Sequence, residues 1–252
     1  PYKHSDANPY VEAFWKWFPE ALPHLKVFRV TGGEPTMSKD VWKVLDYIYE
    51  NAQPELSIAI NSNLGTDPRL IQRLIDACNK LEGKVKQIEI YTSERVLSET
   101  NANVAIMTTL NILSMTTFND FIEDIMKLRI TYNKDLANNR IPLSVNYLRF
   151  PPHLQCTLLD IDTRISYANQ YELTAKYDSP DKFARIYLEE YDQIQRFCEY
   201  LRGEDNTAKK YRADFVNYIK AYDIRRSKNF SETFPEYTHL LEEWNVQKIH
   251  SC

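Results

Sequence analysis

At 252 residues and 29.7 kDa the chain is long enough to bury a real core. Its 43% apolar content, with 17 Tyr, 11 Phe and 4 Trp, excludes intrinsic disorder. A net charge of −4 and a pI near 5.8 give no global basic field, which argues against nucleic acid as a partner. No apolar run approaches the roughly 18 residues of a membrane span and no signal peptide opens the sequence, so a cytoplasmic protein off the membrane is expected.

Residues 9–22 put Val11, Phe14, Trp15 and Phe18 on one helical face, with Pro19 weakening the last turn and His24 in the turn that follows. From Leu25 the period alternates between strand and helix. LKVFRV (25–30) reads as the first strand and runs into Thr31-Gly32-Gly33-Glu34-Pro35. A helix over 38–51 follows, with Ser38 as N-cap and Val41, Val44, Leu45 and Ile48 at i, i+3, i+4 and i+7. Two of only five glycines sit at this joint, and glycine is used where φ must be positive or a ligand must come close. Pro35 biases Glu34 toward extended backbone, at the strand end, where α/β sheets hold ligands. On the pattern alone, the joint reads first as an ordinary βα turn with a solvated glutamate.

LSIAIN (56–61), apolar on both faces, reads as a buried parallel strand ending in the polar run Asn61-Ser62-Asn63-Leu64-Gly65. A helix from Pro68 carries Leu70, Ile71, Leu74, Ile75 and Cys78 on one side. Strands are expected at 85–92, followed by Ser93, and at 103–110, ending in Thr108, Thr109 and Asn111. A helix from about Phe118 and a strand over 142–150, ending in Arg149, complete the alternation. Repeated βα units mean a parallel sheet or an open barrel. One joint resists this: about ten residues separate the strands at 85–92 and 103–110, whereas a parallel crossover needs a dozen or more. Those strands are then antiparallel, or a segment is missing between them. Beyond Pro152 helices are expected at 180–201, 207–226 and 232–244. The basic residues Lys209, Lys210, Arg212, Arg225, Arg226 and Lys228 read as a solvated helix surface.

Of the four cysteines, no two lie within ligand spacing, so neither a zinc knuckle nor a C-x-x-C pair is present. Cys78 and Cys198 fall in helical patterns and read as buried thiols.

The Gly32-Gly33-Glu34-Pro35 motif resembles that of the radical S-adenosylmethionine (SAM) family. With VFRVTGGEP, LSIAINSNLG, IEIYTS, VAIMTTLN and VNYLRFPPH each ending a strand in polar residues, the order is similar to the twitch-domain group of that family. KKYRADFVNYIKAYDIRRSKNFSETFPEY resembles the helical tail of the group, so the likeness covers most of residues 9–240. It implies a partial, open parallel β/α barrel over 9–152 and a mainly helical extension over 153–252. It also implies SAM and a [4Fe–4S] cluster as cofactors, a one-electron reductant, and a 5′-deoxyadenosyl radical that abstracts hydrogen from a small-molecule or peptide substrate. Gly32, Gly33, Glu34 and Pro35 match the motif that receives the methionine ammonium. Asn61, Ser62 and Asn63, then Tyr91, Thr92 and Ser93, then Thr108 and Thr109, and finally Tyr147 and Arg149 occupy later strand ends expected to face the same cofactor. Each also has a plainer reading: a polar turn for Asn61 and Asn63, a core tyrosine with its hydroxyl satisfied for Tyr147, and a surface ion pair for Arg149. The sequence departs from the family in lacking the C-x-x-x-C-x-x-C cluster loop, which the resemblance places upstream of Pro1. A barrel that binds SAM or a partner without turnover, and an α/β enzyme using Glu34 as general base, are the competing readings.

Overall fold

The computed structural model describes residues 8–62, 67–90, 94–134, 138–177, 179–203 and 208–246. The fold is α/β with parallel strands, in two compact units: residues 1–106 with 137–142, and residues 107–136 with 143–252.

In the first unit, strands β1 (Val27–Val30), β2 (Gln53–Ile60), β3 (Val85–Ile90) and β4 (Asn103–Val104) form one sheet in the order β1-β2-β3-β4, every pair parallel. Spatial order therefore follows chain order. Leu56, Ile58, Ala59 and Ile60 of β2 are all buried, which removes the usual alternation, because a parallel strand is covered on both faces. Helix α1 (Pro9–Ala21) starts on Asn8, whose side-chain oxygen accepts from Tyr10 N at 3.0 Å, and runs through Pro19 to Ala21. Its Phe18 is fully buried, stacked on Phe14 at 4.9 Å and beside Phe28 of β1 at 5.3 Å. Helix α2 (Lys39–Glu50) buries Trp42, Val44, Leu45 and Ile48, and α3 (Pro68–Leu81) buries Leu74, Ile75, Cys78 and Leu81. Asp67 caps α3 by accepting from Arg69 N at 2.9 Å.

The joint between β3 and β4 is parallel, and no missing segment is needed to close it. Between Ile90 and Asn103 lie residues 91–102, twelve positions, which is the minimum for a crossover, and they include the six-residue helix α4 (Glu94–Glu99). The strand is described as far as Ile90, and the last two residues of the predicted strand, Tyr91 and Thr92, lie outside the described residues. Arg140 closes the connection: its Nη2 donates to the carbonyls of Leu97 at 3.2 Å, Thr100 at 2.7 Å and Ala102 at 2.9 Å.

The predicted strand over 103–110 divides at Ala105 into β4 and β5 (Ile106–Leu110). Strand β5 pairs with β6 (Leu143–Tyr147). Ile106 N donates to Pro142 O and Leu148 N to Leu110 O, both at 2.8 Å, so residue numbers rise together along the two strands, as in a parallel ladder. The other regular elements among the described residues of the second unit are helices: α5 (Phe118–Tyr132), α6 (Ile161–Ala175), α7 (Leu188–Arg202), α8 (Arg212–Arg226), α9 (Phe230–Thr233) and α10 (Thr238–Val246). The core of this unit stacks Tyr171 on Phe197, sets Phe118 edge-on against both, and places Phe215 against Trp244 at 5.5 Å.

Helix α6 has no counterpart among the predicted elements. Its buried residues are Arg164, Ala168, Tyr171 and Ala175, correctly spaced for a helix but too small or too polar to register as an apolar stripe. Residues 180–187 are not helical, and the predicted helix over 232–244 breaks around Pro235, which separates α9 from α10. Arg212 does not belong to a solvated surface. It is buried, donates through Nε to Leu158 O and through Nη2 to Asp160 Oδ1 at 2.9 Å each, and lies 4.8 Å over the Trp244 ring. No helix among the described residues is long and apolar enough to cross a membrane.

Glu190 organises the start of α7. Its Oε2 accepts from Tyr187 N at 3.0 Å, and its Oε1 accepts from Leu143 N at 2.9 Å and from Arg129 Nη2 at 2.5 Å. Arg129 is fully buried and also donates to Arg185 O at 2.6 Å. Replacing Glu190 by Ala strands that guanidinium and a strand amide, so urea unfolding is expected to show a loss of about 3 kcal/mol or more.

Candidate functional site

The chain leaves β1 at Val30 and turns through two residues of left-handed backbone, Gly32 at φ +87° and Gly33 at φ +55°. Nothing lies within 4 Å of a Cβ built on either one. The glycines are therefore required by the turn and not by crowding, and the space beside them is open. Glu34 then returns to extended backbone, φ −117° and ψ 104°, as a residue before proline should.

This turn points the Glu34 side chain back over the strand ends. Its Oε1 accepts from Thr36 N at 3.1 Å, Thr36 Oγ1 at 2.8 Å and Ser62 Oγ at 2.7 Å. The glutamate is thus half-buried and fixed, not solvated. Pro35 opens a 3-10 turn over Pro35–Met37 that Glu34 caps, and Trp42 of α2 anchors the turn by donating from Nε1 to Thr36 O at 3.0 Å. Arg73 of α3 lies 4.4 Å over the Trp42 ring. Ser62, just beyond the end of β2, is 5% exposed. Asn61 beside it donates from its backbone N to Val30 O at 3.0 Å. The Asn61 Oδ1 is buried and has no hydrogen-bond partner among the described residues.

Gly32, Gly33, Glu34, Pro35, Asn61 and Ser62 therefore converge at the adjoining ends of β1 and β2. Thr36 joins them, a residue the sequence reading passed over. Its signal was the capping pattern itself, an acid before proline at a helix start, whose carboxylate seeks the amide two residues on. A fixed carboxylate beside a buried amide acceptor suits a ligand that donates hydrogen bonds and carries positive charge, such as a primary ammonium. Asn63, Tyr91, Thr92 and Ser93 lie outside the described residues.

The second unit holds the remaining candidates. Thr108 and Thr109 are consecutive in β5 and point to opposite faces, Thr108 half-buried and Thr109 exposed, so a single ligand face cannot use both. Tyr147 is half-buried at the end of β6 and does not belong to the core. Its ring stacks on Tyr200 at 4.3 Å and lies 5.7 Å from Phe197, while its hydroxyl accepts from Arg149 Nη2 at 2.9 Å. Arg149 sits 5.1 Å over the same ring.

The described residues do not fit an iron–sulfur cluster. No group of three or more His, Cys, Asp or Glu among them could hold a metal. Cys78, Cys156 and Cys198 are each buried, the expected state for Cys78 and Cys198, and burial pushes the Cys78 and Cys156 thiols up to about 12 and the Cys198 thiol up to about 11. A raised thiol stays protonated at neutral pH, whereas a cluster ligand must be a thiolate.

Two outcomes follow from this geometry. Gly33→Ala is expected to cost about 1–2 kcal/mol in chemical denaturation, since alanine resists left-handed backbone even where space is free. Cys78, Cys156 and Cys198 are expected to stay unmodified by a thiol reagent at neutral pH until the protein is unfolded, as read by peptide mass spectrometry.

Compared with protein-family models, curated proteins and solved structures, the chain finds no match.

Proposed function

We propose that this chain is the SAM-binding part of a radical SAM enzyme, an open parallel β/α barrel whose β1–β2 corner takes the methionine ammonium of the nucleotide. The observation that carries the reading is Glu34, whose Oε1 is fixed by Thr36 and Ser62 at the carboxyl ends of two adjacent parallel strands. Strand order that follows chain order supports the barrel. Three crossovers stepping the same way, with one handedness, put their helices on one face, as in a closing barrel and not a doubly wound sheet. Asn61 Oδ1 offers a second acceptor for the ammonium.

In this class of enzyme the cofactors supply the reactive chemistry, and the protein holds and orients them and keeps water out. Here Glu34 binds the ammonium, Ser62 and Thr36 hold Glu34 in one rotamer, and the open space beside Gly32 and Gly33 admits the ligand backbone. The cluster has no ligands among the described residues, so the reading requires thiolates from beyond them. A small-molecule or peptide substrate, a one-electron reductant and a cytoplasmic setting belong to the same proposal. The missing thiolate set also favours a second reading, a SAM-binding barrel without turnover.

Calorimetry with SAM and with methylthioadenosine, which lacks the ammonium, tests the corner. Glu34→Gln is expected to weaken SAM by about 10- to 100-fold, the worth of a charge-assisted hydrogen bond, and to leave methylthioadenosine unchanged. Equal SAM binding by both proteins removes Glu34 from the site and the reading with it. Iron and sulfide analysis of anaerobically prepared parent protein, with 5′-deoxyadenosine release on reduction, separates the enzyme from the non-catalytic barrel.

A further inference from the structure

Within the second unit, α8 and the segment that follows it enclose a cavity of about 480 Å³, lined among others by Tyr218, Tyr222, Asp223, Lys228, Phe230 and Phe234. We propose that this cavity binds a nucleoside monophosphate, independently of the Glu34 corner. Its volume lies in the range of small-molecule sites, and two pairs of rings wall it. Tyr218 and Tyr222, one helical turn apart on α8, have centroids 6.3 Å apart and planes at 32°, and Phe230 and Phe234 have centroids 5.2 Å apart and planes at 33°. His153 packs behind Tyr218 at 5.0 Å and helps hold that ring in place.

Tyr218 and Tyr222 remain 40% and 47% exposed, so their faces are open to a planar partner from solvent. Every nucleobase offers such a face. The polar groups refine the class. Asp223 is anchored through Oδ2, which accepts from Phe230 N at 2.9 Å, and its other oxygen has no hydrogen bond among the described residues. That oxygen can accept from an exocyclic amine. Lys228 lies on the same wall, and Arg225 and Arg226 close α8 just before it. None of these three cations has an ion pair among the described residues. Of the three, Lys228 lines the cavity, and an ammonium with no such ion pair suits an anionic group such as a phosphate. A purely apolar occupant would leave both Asp223 and Lys228 unmet. Ser227 sits in left-handed backbone at φ +49°, ending α8 abruptly and turning Lys228 and Phe230 back toward the helix.

Calorimetry and saturation-transfer NMR with AMP, adenosine and L-tryptophan test the assignment. AMP is expected to bind saturably at millimolar concentration or below. Tyr222→Ala should weaken it by roughly tenfold through lost stacking. Lys228→Gln should weaken AMP by roughly tenfold and leave adenosine unchanged, which identifies the phosphate contact. Both side chains are exposed, so neither change threatens folding. Three results would overturn the proposal: no saturation by AMP, a preference for L-tryptophan, or an equal effect of Lys228→Gln on AMP and adenosine.

Discussion

A single oxygen atom, Glu34 Oε1, joins what the backbone leaves apart. Parallel strands share no hairpin, so their carboxyl ends run into separate connections, and past the last ladder bond side chains tie those connections to each other. Here Ser62 beyond β2 and Thr36 beyond β1 both donate to the same carboxylate. Three donors on one oxygen leave the side chain little rotational freedom, so its negative charge is presented in one direction before any ligand arrives. That is preorganisation in the sense that matters for affinity, because the ordering cost is met during folding. The same contacts that hold the corner together therefore set its binding chemistry, and they depend on two consecutive glycines in backbone that other residues resist.

A second device recurs across both units. Arg129, Arg140, Arg164 and Arg212 are all buried, and each directs its guanidinium at main-chain carbonyls. The last carbonyls of a helix have no intrahelical donor, and a left-handed glycine cap is the common remedy. This chain has only five glycines, and Gly203 at the end of α7 is not left-handed, with φ −63°. Arg164 serves instead, donating to Leu201 O and Gly203 O at 2.9 Å each. A planar fork of several donors can reach more than one carbonyl at once, which a lysine cannot do.

These devices mark where the sequence could and could not be read. Most strands and helices from α1 to β6, with α4 and the break between β4 and β5 as exceptions, announce themselves because large apolar residues repeat at periods near 2 and 3.6, and a buried side chain must be apolar unless a partner satisfies it. Helix α6 stays hidden for the converse reason: its inner face relies on Arg164 and two alanines, and the carbonyls that satisfy the arginine lie far along the chain. Arg212 looked like surface on the same grounds, since its partners Leu158, Asp160 and Trp244 are distant in sequence. At the candidate site, Gly32, Gly33 and Glu34 were legible because each answers to a local backbone rule. The tie to Ser62, 28 residues away, was not, because it exists only once β1 and β2 lie side by side. Thr108 and Thr109 were grouped by position along a strand, although adjacent strand residues face opposite ways.

The two units are not two consecutive stretches of chain. The polypeptide builds the first unit as far as Ile106, enters the second, comes back for residues 137–142 and then departs again. Those six returning residues include Arg140, which supplies the carbonyl contacts at the end of α4. A fragment cut after Ile106 would thus lack part of its own framework, and one starting at Met107 would carry a strip belonging to its neighbour. Neither half can be dissected out by a single scission, so ribosomal synthesis must pass residue 142 before even the amino-terminal unit is complete.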